Sequence, residues 1–209
     1  MNKFVLACIT GGWLLCGACA HHPQQPSPQL TDTLSQPDTA RHSYFPVAEI
    51  LESEIRQVDS TPVAIRKLVI ANGRTDSGFI KPAEFNALAM QFVVPEFGNG
   101  RFQKDFTETS FIDNATQAAT FTYSTTAGDL SLQRVDVVAI PQGAIHQVKS
   151  IYLERTRISG DSVILDKMFW RAGIQFKILS VIRVKGGAPV LKQLIVSWES
   201  GGDTEGDNE

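Results

Sequence analysis

Cysteine is nearly missing from this chain: its three copies, Cys8, Cys16 and Cys19, all lie within the first nineteen residues. Everything after them has no disulfide, no thiol nucleophile and no thiolate zinc site, so its stability must come from packing. Histidine is almost as scarce. Of four, His21 and His22 fall in a proline-rich stretch and His42 closes it, which leaves His146 as the one candidate for a Ser-His-Asp arrangement. His146 follows the turn signal Gly143-Ala144-Ile145 and reads as a loop residue. The adjacent pair His21-His22 reads as solvated polar side chains, so no metal site is expected. Also absent are the G-x-S-x-G elbow, the phosphate-binding and dinucleotide glycine patterns, and H-E-x-x-H.

Charge of one sign is lacking as well. The formal net charge of -3 comes from 19 basic and 22 acidic residues. Four of the acids, Asp203, Glu205, Asp207 and Glu209, sit in the last nine residues. Setting aside those four, Asp32, Asp38, Lys3 and Arg41 leaves 17 basic and 16 acidic side chains in the body. No run of Lys and Arg exceeds two. A nearly neutral body without a basic stripe is not expected to bind nucleic acid.

What the chain does have begins at its start. Lys3 is followed by the apolar run Phe4 to Leu15 and then by small residues, the order of a secretory signal peptide. The run is about a dozen residues, short of the roughly twenty needed to span a bilayer. Two cleavage patterns overlap. In Leu15-Cys16-Gly17-Ala18-Cys19, small residues precede a cysteine, and Ala18-Cys19-Ala20 is an A-x-A site for ordinary signal peptidase. From Ala20 to His42 the sequence is rich in Pro, Gln, Ser and Thr and cannot bury a core. As coil it would reach on the order of 30 Å, which suits a tether. The expected organisation is a signal segment over 1–18, a tether over 19–42, one domain over 43–200 and an acidic tail over 201–209.

Within the domain, Val47, Ile50, Leu51, Ile55 and Val58 repeat at helical spacing, which predicts a first helix over Phe45 to Val58. Ala64 to Ala71 reads as a strand closed by Asn72-Gly73, and a second helix is expected from Pro82, burying Phe85, Leu88, Ala89 and Phe92. Seven further strands follow Lys104, separated by short glycine-bearing turns that favour hairpins. One of them, Phe176 to Lys185, reads as central and partly covered on both faces. The expected fold class is α+β, with two N-terminal helices packed on a mainly antiparallel β-meander of about seven or eight strands.

Carboxylate chemistry needs only two acids in a cleft, and Asp105, Glu108, Asp136 and Glu154 are the candidates for it. Strand alternation turns Leu132, Arg134 and Asp136 one way and Val135, Val137 and Ala139 the other, which puts Asp136 on a solvent face near Arg134. No catalytic residue and no cofactor is expected. The candidate binding residues are Trp170 and Arg171, an aromatic and a guanidinium at a strand end before Gly173. Their alternative reading is Trp170 as core and Arg171 as a solvated residue. A second possibility is a pocket for an apolar ligand lined by Phe85, Phe92, Phe121, Ile151 and Phe176, residues that would equally pack a core.

The run ending in Cys19 resembles the lipobox of bacterial lipoproteins, with Cys16 where that pattern usually carries an aliphatic residue. The segments Val148 to Glu154, Phe169 to Phe176 and Leu191 to Glu199 are similar to a family of small secreted bacterial lipoproteins with a Pro/Ser linker. The resemblance implies a diacylglycerol on the Cys19 thiol and, because Ala20 follows, delivery to the outer membrane. It supplies no reaction and no catalytic residues. The expected function is a lipid-anchored envelope protein with a non-enzymatic binding or interaction domain. Its partners would be the membrane, through the lipid, and an envelope protein or apolar ligand. The alternatives are a soluble periplasmic or secreted carrier for an apolar ligand, and a carboxylate-based hydrolase of glycan or cell-wall substrates.

Overall fold

The structure, a computed structural model, describes residues 44–142 and 145–198. The signal segment, the tether with Cys19 and the acidic tail lie outside the described residues.

Helix α1 (Val47–Ser60) buries Val47, Leu51, Ile55 and Val58, the stripe its spacing predicts. It stops where Thr61 turns extended at φ -106, and the Ser60 and Thr61 hydroxyls donate to the Gln57 carbonyl at 3.1 and 2.7 Å. Those bonds occupy a carbonyl that the helix end leaves open. Next comes strand β1 (Ile65–Ala71) and then, against expectation, a second strand, β2 (Arg74–Ile80). Asn72 and Gly73 both have positive φ, 51 and 71. That pair makes a type I′ hairpin turn, which sends the chain back along β1 instead of merely ending it.

The expected fold class is therefore corrected: one helix, not two, precedes the sheet, and the sheet has nine strands rather than seven or eight. The sequence RTDSGFI of β2 hid the strand. Six of its seven residues are exposed, so it has no period-2 burial pattern and is held by its backbone ladder to β1. Gly73→Val should raise the native energy by about 1–2 kcal/mol through its left-handed backbone alone, because no atom lies within 4 Å of an added Cβ. Gly78→Val, on the exposed edge and also in open space, should be near neutral. Urea midpoints of the two variants check this, and equal midpoints would contradict the hairpin.

Helix α2 (Pro82–Ala89), two 3₁₀ turns at Met90–Phe92 and Pro95–Phe97, and a one-turn helix α3 (Arg101–Asp105) complete the helical layer. The remaining strands are β3 (Thr107–Asp113), β4 (Ala118–Ser124), β5 (Leu132–Gln142), β6 (Ile145–Ser159), β7 (Ser162–Arg171), β8 (Gln175–Val184) and β9 (Val190–Trp198). They form one sheet in the order β2-β1-β9-β8-β7-β6-β5-β4-β3, antiparallel throughout. The β1–β2 hairpin is thus added to the last strand of a meander, with Ile65 opposite Trp198.

One face of the sheet carries the core. Trp170 stacks on Phe176 at 5.5 Å, Phe92 meets Trp170 edge-on at 5.2 Å, and Phe85 meets Trp198 edge-on at 5.1 Å. These aromatic contacts join the helical layer to β7, β8 and β9. The opposite face has no cover among the described residues. Strand β8 lies inside the sheet as its pattern suggests, yet it is covered on the inner face only. A β-bulge between Leu132 and Arg134 also changes one predicted face: Leu132 turns inward with Val135 and is fully buried.

Candidate functional site

On the inner face, next to the aromatic layer, β6, β7 and β8 place Arg155, Asp166 and Ser180 side by side. Asp166 is completely buried. Its Oδ2 accepts from Arg157 Nε at 2.7 Å and from Arg155 Nε at 3.1 Å, while Oδ1 accepts from Ser180 Oγ at 2.7 Å. Burial by itself would raise the Asp166 pKa, but Arg157, Ser180 and Arg155 together hold it below the ordinary carboxylate value. Arg155 also donates from Nη1 to the Gln91 carbonyl at 3.1 Å, so the cluster ties the sheet to the turn after α2. A carboxylate with both oxygens engaged and a depressed pKa is a poor proton acceptor. This cluster is an internal anchor, and Arg157, its side chain 40% exposed, borders an open cleft with Leu130, Ser131 and Thr156.

The other buried carboxylate, Glu96, anchors the start of β5 through one oxygen, its Oε2 having no hydrogen-bond partner among the described residues. Its Oε1 accepts from the Ser131 N–H at 3.1 Å, the Ser131 hydroxyl at 2.7 Å and the Leu132 N–H at 3.1 Å. Burial opposes its ionisation, and these bonds outweigh burial and lower the pKa. Neither Asp166 nor Glu96 stood out in sequence. For Asp166 the signal was nevertheless present, because Ile164, Met168 and Trp170 share its strand parity and mark an inward face.

The four candidate carboxylates, Asp105, Glu108, Asp136 and Glu154, are not assembled in a cleft. Asp105 pairs with Arg101 at 2.8 Å, and Glu108 lies beside Tyr123, whose buried phenol has a raised pKa. Asp136 and Glu154 share the uncovered outer face on neighbouring strands, Asp136 opposite Tyr152 and Glu154 opposite Arg134. Asp136 accepts from Arg134 at 2.9 Å and Thr122 at 2.8 Å, and Glu154 accepts from the Tyr152 hydroxyl at 3.0 Å. Burial and then Glu154 push the Tyr152 phenol up to about 12. His146 is exposed.

Trp170 and Arg171 part company. Strand alternation sends Trp170 into the core, fully buried, and Arg171 to the outer face, exposed. They cannot form one surface anchor, and this corrects the candidate binding site. The apolar pocket expected from Phe85, Phe92, Phe121, Ile151 and Phe176 is also filled: Phe85 and Phe92 pack on Phe176 at 6.0 and 5.3 Å.

What the outer face does offer is apolar surface. Ile158, Val163, Phe169 and Leu191 are exposed there, the first to 81%. Leu165 and Val181 lie between Val163 and Leu191 and are only half covered, and the exposed Lys167 separates Phe169 from them. Among the described residues no group of acids and histidines is placed to hold a metal, and no helix is long and apolar enough to cross a membrane. No protein-family model and no curated protein matches the sequence.

Proposed function

We propose that this chain is an envelope lipoprotein, held at the outer membrane by lipid on Cys19, whose body is a non-enzymatic binding module. The observation that carries the binding role is the outer sheet face, which no described element covers and which exposes Ile158, Val163, Phe169 and Leu191. An antiparallel sheet tolerates one solvated face, but that face is then normally polar; an apolar patch of this kind is typical of an interaction surface. The signal segment, the cysteine after small residues and the polar tether support the anchor. Two acyl chains on an N-terminal cysteine plus a third on its amine would hold the chain stably, at about 0.8 kcal/mol per buried methylene.

The carrier reading receives less support. A narrow space bordered by Glu54, Val58, Val63 and Trp198 is about 20 Å³, room for about one water molecule. A hydrolase reading has no acid pair in a cleft to build on among the described residues.

Cys19→Ser should remove the acylated N-terminal peptide from the mass spectrum and deplete the chain from the outer-membrane fraction. Unchanged fractionation of this variant would sink the anchor.

A further inference from the structure

The outer face carries a second feature, at the end of the sheet away from Ile158. Along one cross-strand row, Arg66 of β1 lies opposite Ser197 of β9, Ser197 opposite Gln175 of β8, and Gln175 opposite Arg171 of β7. In the neighbouring row Lys177 sits between Ile195 and Phe169. Strands are spaced about 4.8 Å apart, so Arg66 and Arg171 stand about 14 Å from each other with Lys177 between them. None of the three has a carboxylate partner among the described residues. On the same face, among the described residues, Asp136 and Glu154 lie on β5 and β6 and are engaged by Arg134 and Tyr152, and Asp113 lies on the far edge strand β3 and is engaged by Thr116.

Aromatic rings flank these cations. Phe79 of β2 lies opposite Arg66 and is 79% exposed, and Phe169, beside Lys177, is 40% exposed. Leu68 and Ile195 fill the ground between them. The arrangement is spread over five neighbouring strands, β2-β1-β9-β8-β7. It matches what a layer of phosphates over hydrocarbon requires: cations for the headgroups and rings that enter the interfacial zone.

Resting on the lipoprotein reading above, we propose that this end of the outer face docks on anionic phospholipid headgroups, with Arg66, Arg171 and Lys177 as the contacts and Phe79 and Phe169 as shallow insertions. Charge complementarity selects this occupant. Each cation near an anionic membrane contributes roughly fivefold in affinity, so the three together contribute on the order of a hundredfold, and salt weakens the attraction. A tethered body needs no more, because its anchor already keeps it at high local concentration. The body would then lie with its sheet against the bilayer and its helices outward.

The body contains no cysteine, which permits a single fluorophore at Ser150→Cys, beside Arg171 on the outer face, or at Gln57→Cys on the exposed side of α1. The full chain, purified from its envelope, is reconstituted on vesicles that carry a headgroup quencher. In an equal mixture of phosphatidylglycerol and phosphatidylcholine, the Ser150 site should be quenched several-fold more than the Gln57 site. Phosphatidylcholine alone, or the Arg66→Glu/Arg171→Glu/Lys177→Glu variant, should abolish the difference. Equal quenching at both sites in anionic vesicles, or a difference that survives the charge reversal, overturns the proposal. Poly-glutamate binding that depends on the three cations, with the Ser150 site unquenched on vesicles, would assign the face to an acidic protein and overturn it too. Failure of the anchor is a separate result: that chain would not stay with phosphatidylcholine vesicles, whereas failure of the docking face leaves it retained and unquenched.

Discussion

Asp166→Ala is expected to destabilise the body by about 3–5 kcal/mol, the cost of removing one partner from a buried ion pair. The loss comes chiefly from what it leaves behind. Arg155, whose side chain is 11% exposed, is held between β6 and the Gln91 carbonyl and cannot carry its charge out to water. Arg157 is 40% exposed and can turn toward solvent, so Arg157→Ala should cost only about 1 kcal/mol. If the uncompensated Arg155 charge dominates, Asp166→Leu/Arg155→Met should recover most of the loss, because a well-packed apolar pair often replaces a buried ion pair without penalty. Urea midpoints of the four proteins decide the matter. A midpoint for Asp166→Ala within error of the parent would show that water reaches the cluster.

The same group sets a pH dependence whose sign follows from its lowered folded-state pKa. A depressed carboxylate contributes stability that is complete above its unfolded value, near 3.8, and is lost as pH falls through the still lower folded value. Stability should therefore hold from neutrality to about pH 5 and decline below pH 4. Asp166→Asn, which cannot titrate, should flatten that decline relative to the parent. Glu96, lowered from 4.5, works in the same direction and preserves part of the slope.

How much of this was readable in the sequence depends on which physical signal each element rests on. Helix α1 and strands β4 to β9 follow from apolar periodicity, which burial enforces, whereas β3 is exposed at six of its seven residues. Strand β2 rests on backbone hydrogen bonds to β1, and a ladder leaves no trace in side-chain pattern. Its turn was visible as Asn72-Gly73, but the polar run after it gave no reason to continue the sheet. Met90–Phe92, Pro95–Phe97 and Arg101–Asp105 are too short to show a helical period. The pairing of β1 with β9 joins residues more than a hundred positions apart, and local chemistry does not specify such a partner. The cation group Arg66, Lys177 and Arg171 depends on that pairing, so it emerges only once the sheet order is known.

Trp170→Ala should cost about 3–5 kcal/mol, comparable to the loss at Asp166 but by a different route. The indole contacts Phe92, Phe176 and Trp198 at ring separations of 5.2, 5.5 and 5.3 Å, so truncation opens a cavity bounded by both layers. Its Nε1–H has no hydrogen-bond acceptor among the described residues, which subtracts from the value of the native contact. Trp170→Phe removes that unsatisfied donor and keeps an aromatic ring, so it should lose clearly less than the alanine variant. Arg171→Ala, one residue on and on the opposite face, should shift the urea midpoint by no more than about 0.5 kcal/mol. The contrast distinguishes the two roles. A surface anchor at Trp170 would leave folding intact on truncation, whereas a core indole makes Trp170→Ala a folding variant and leaves only Arg171 free to act at the outer face.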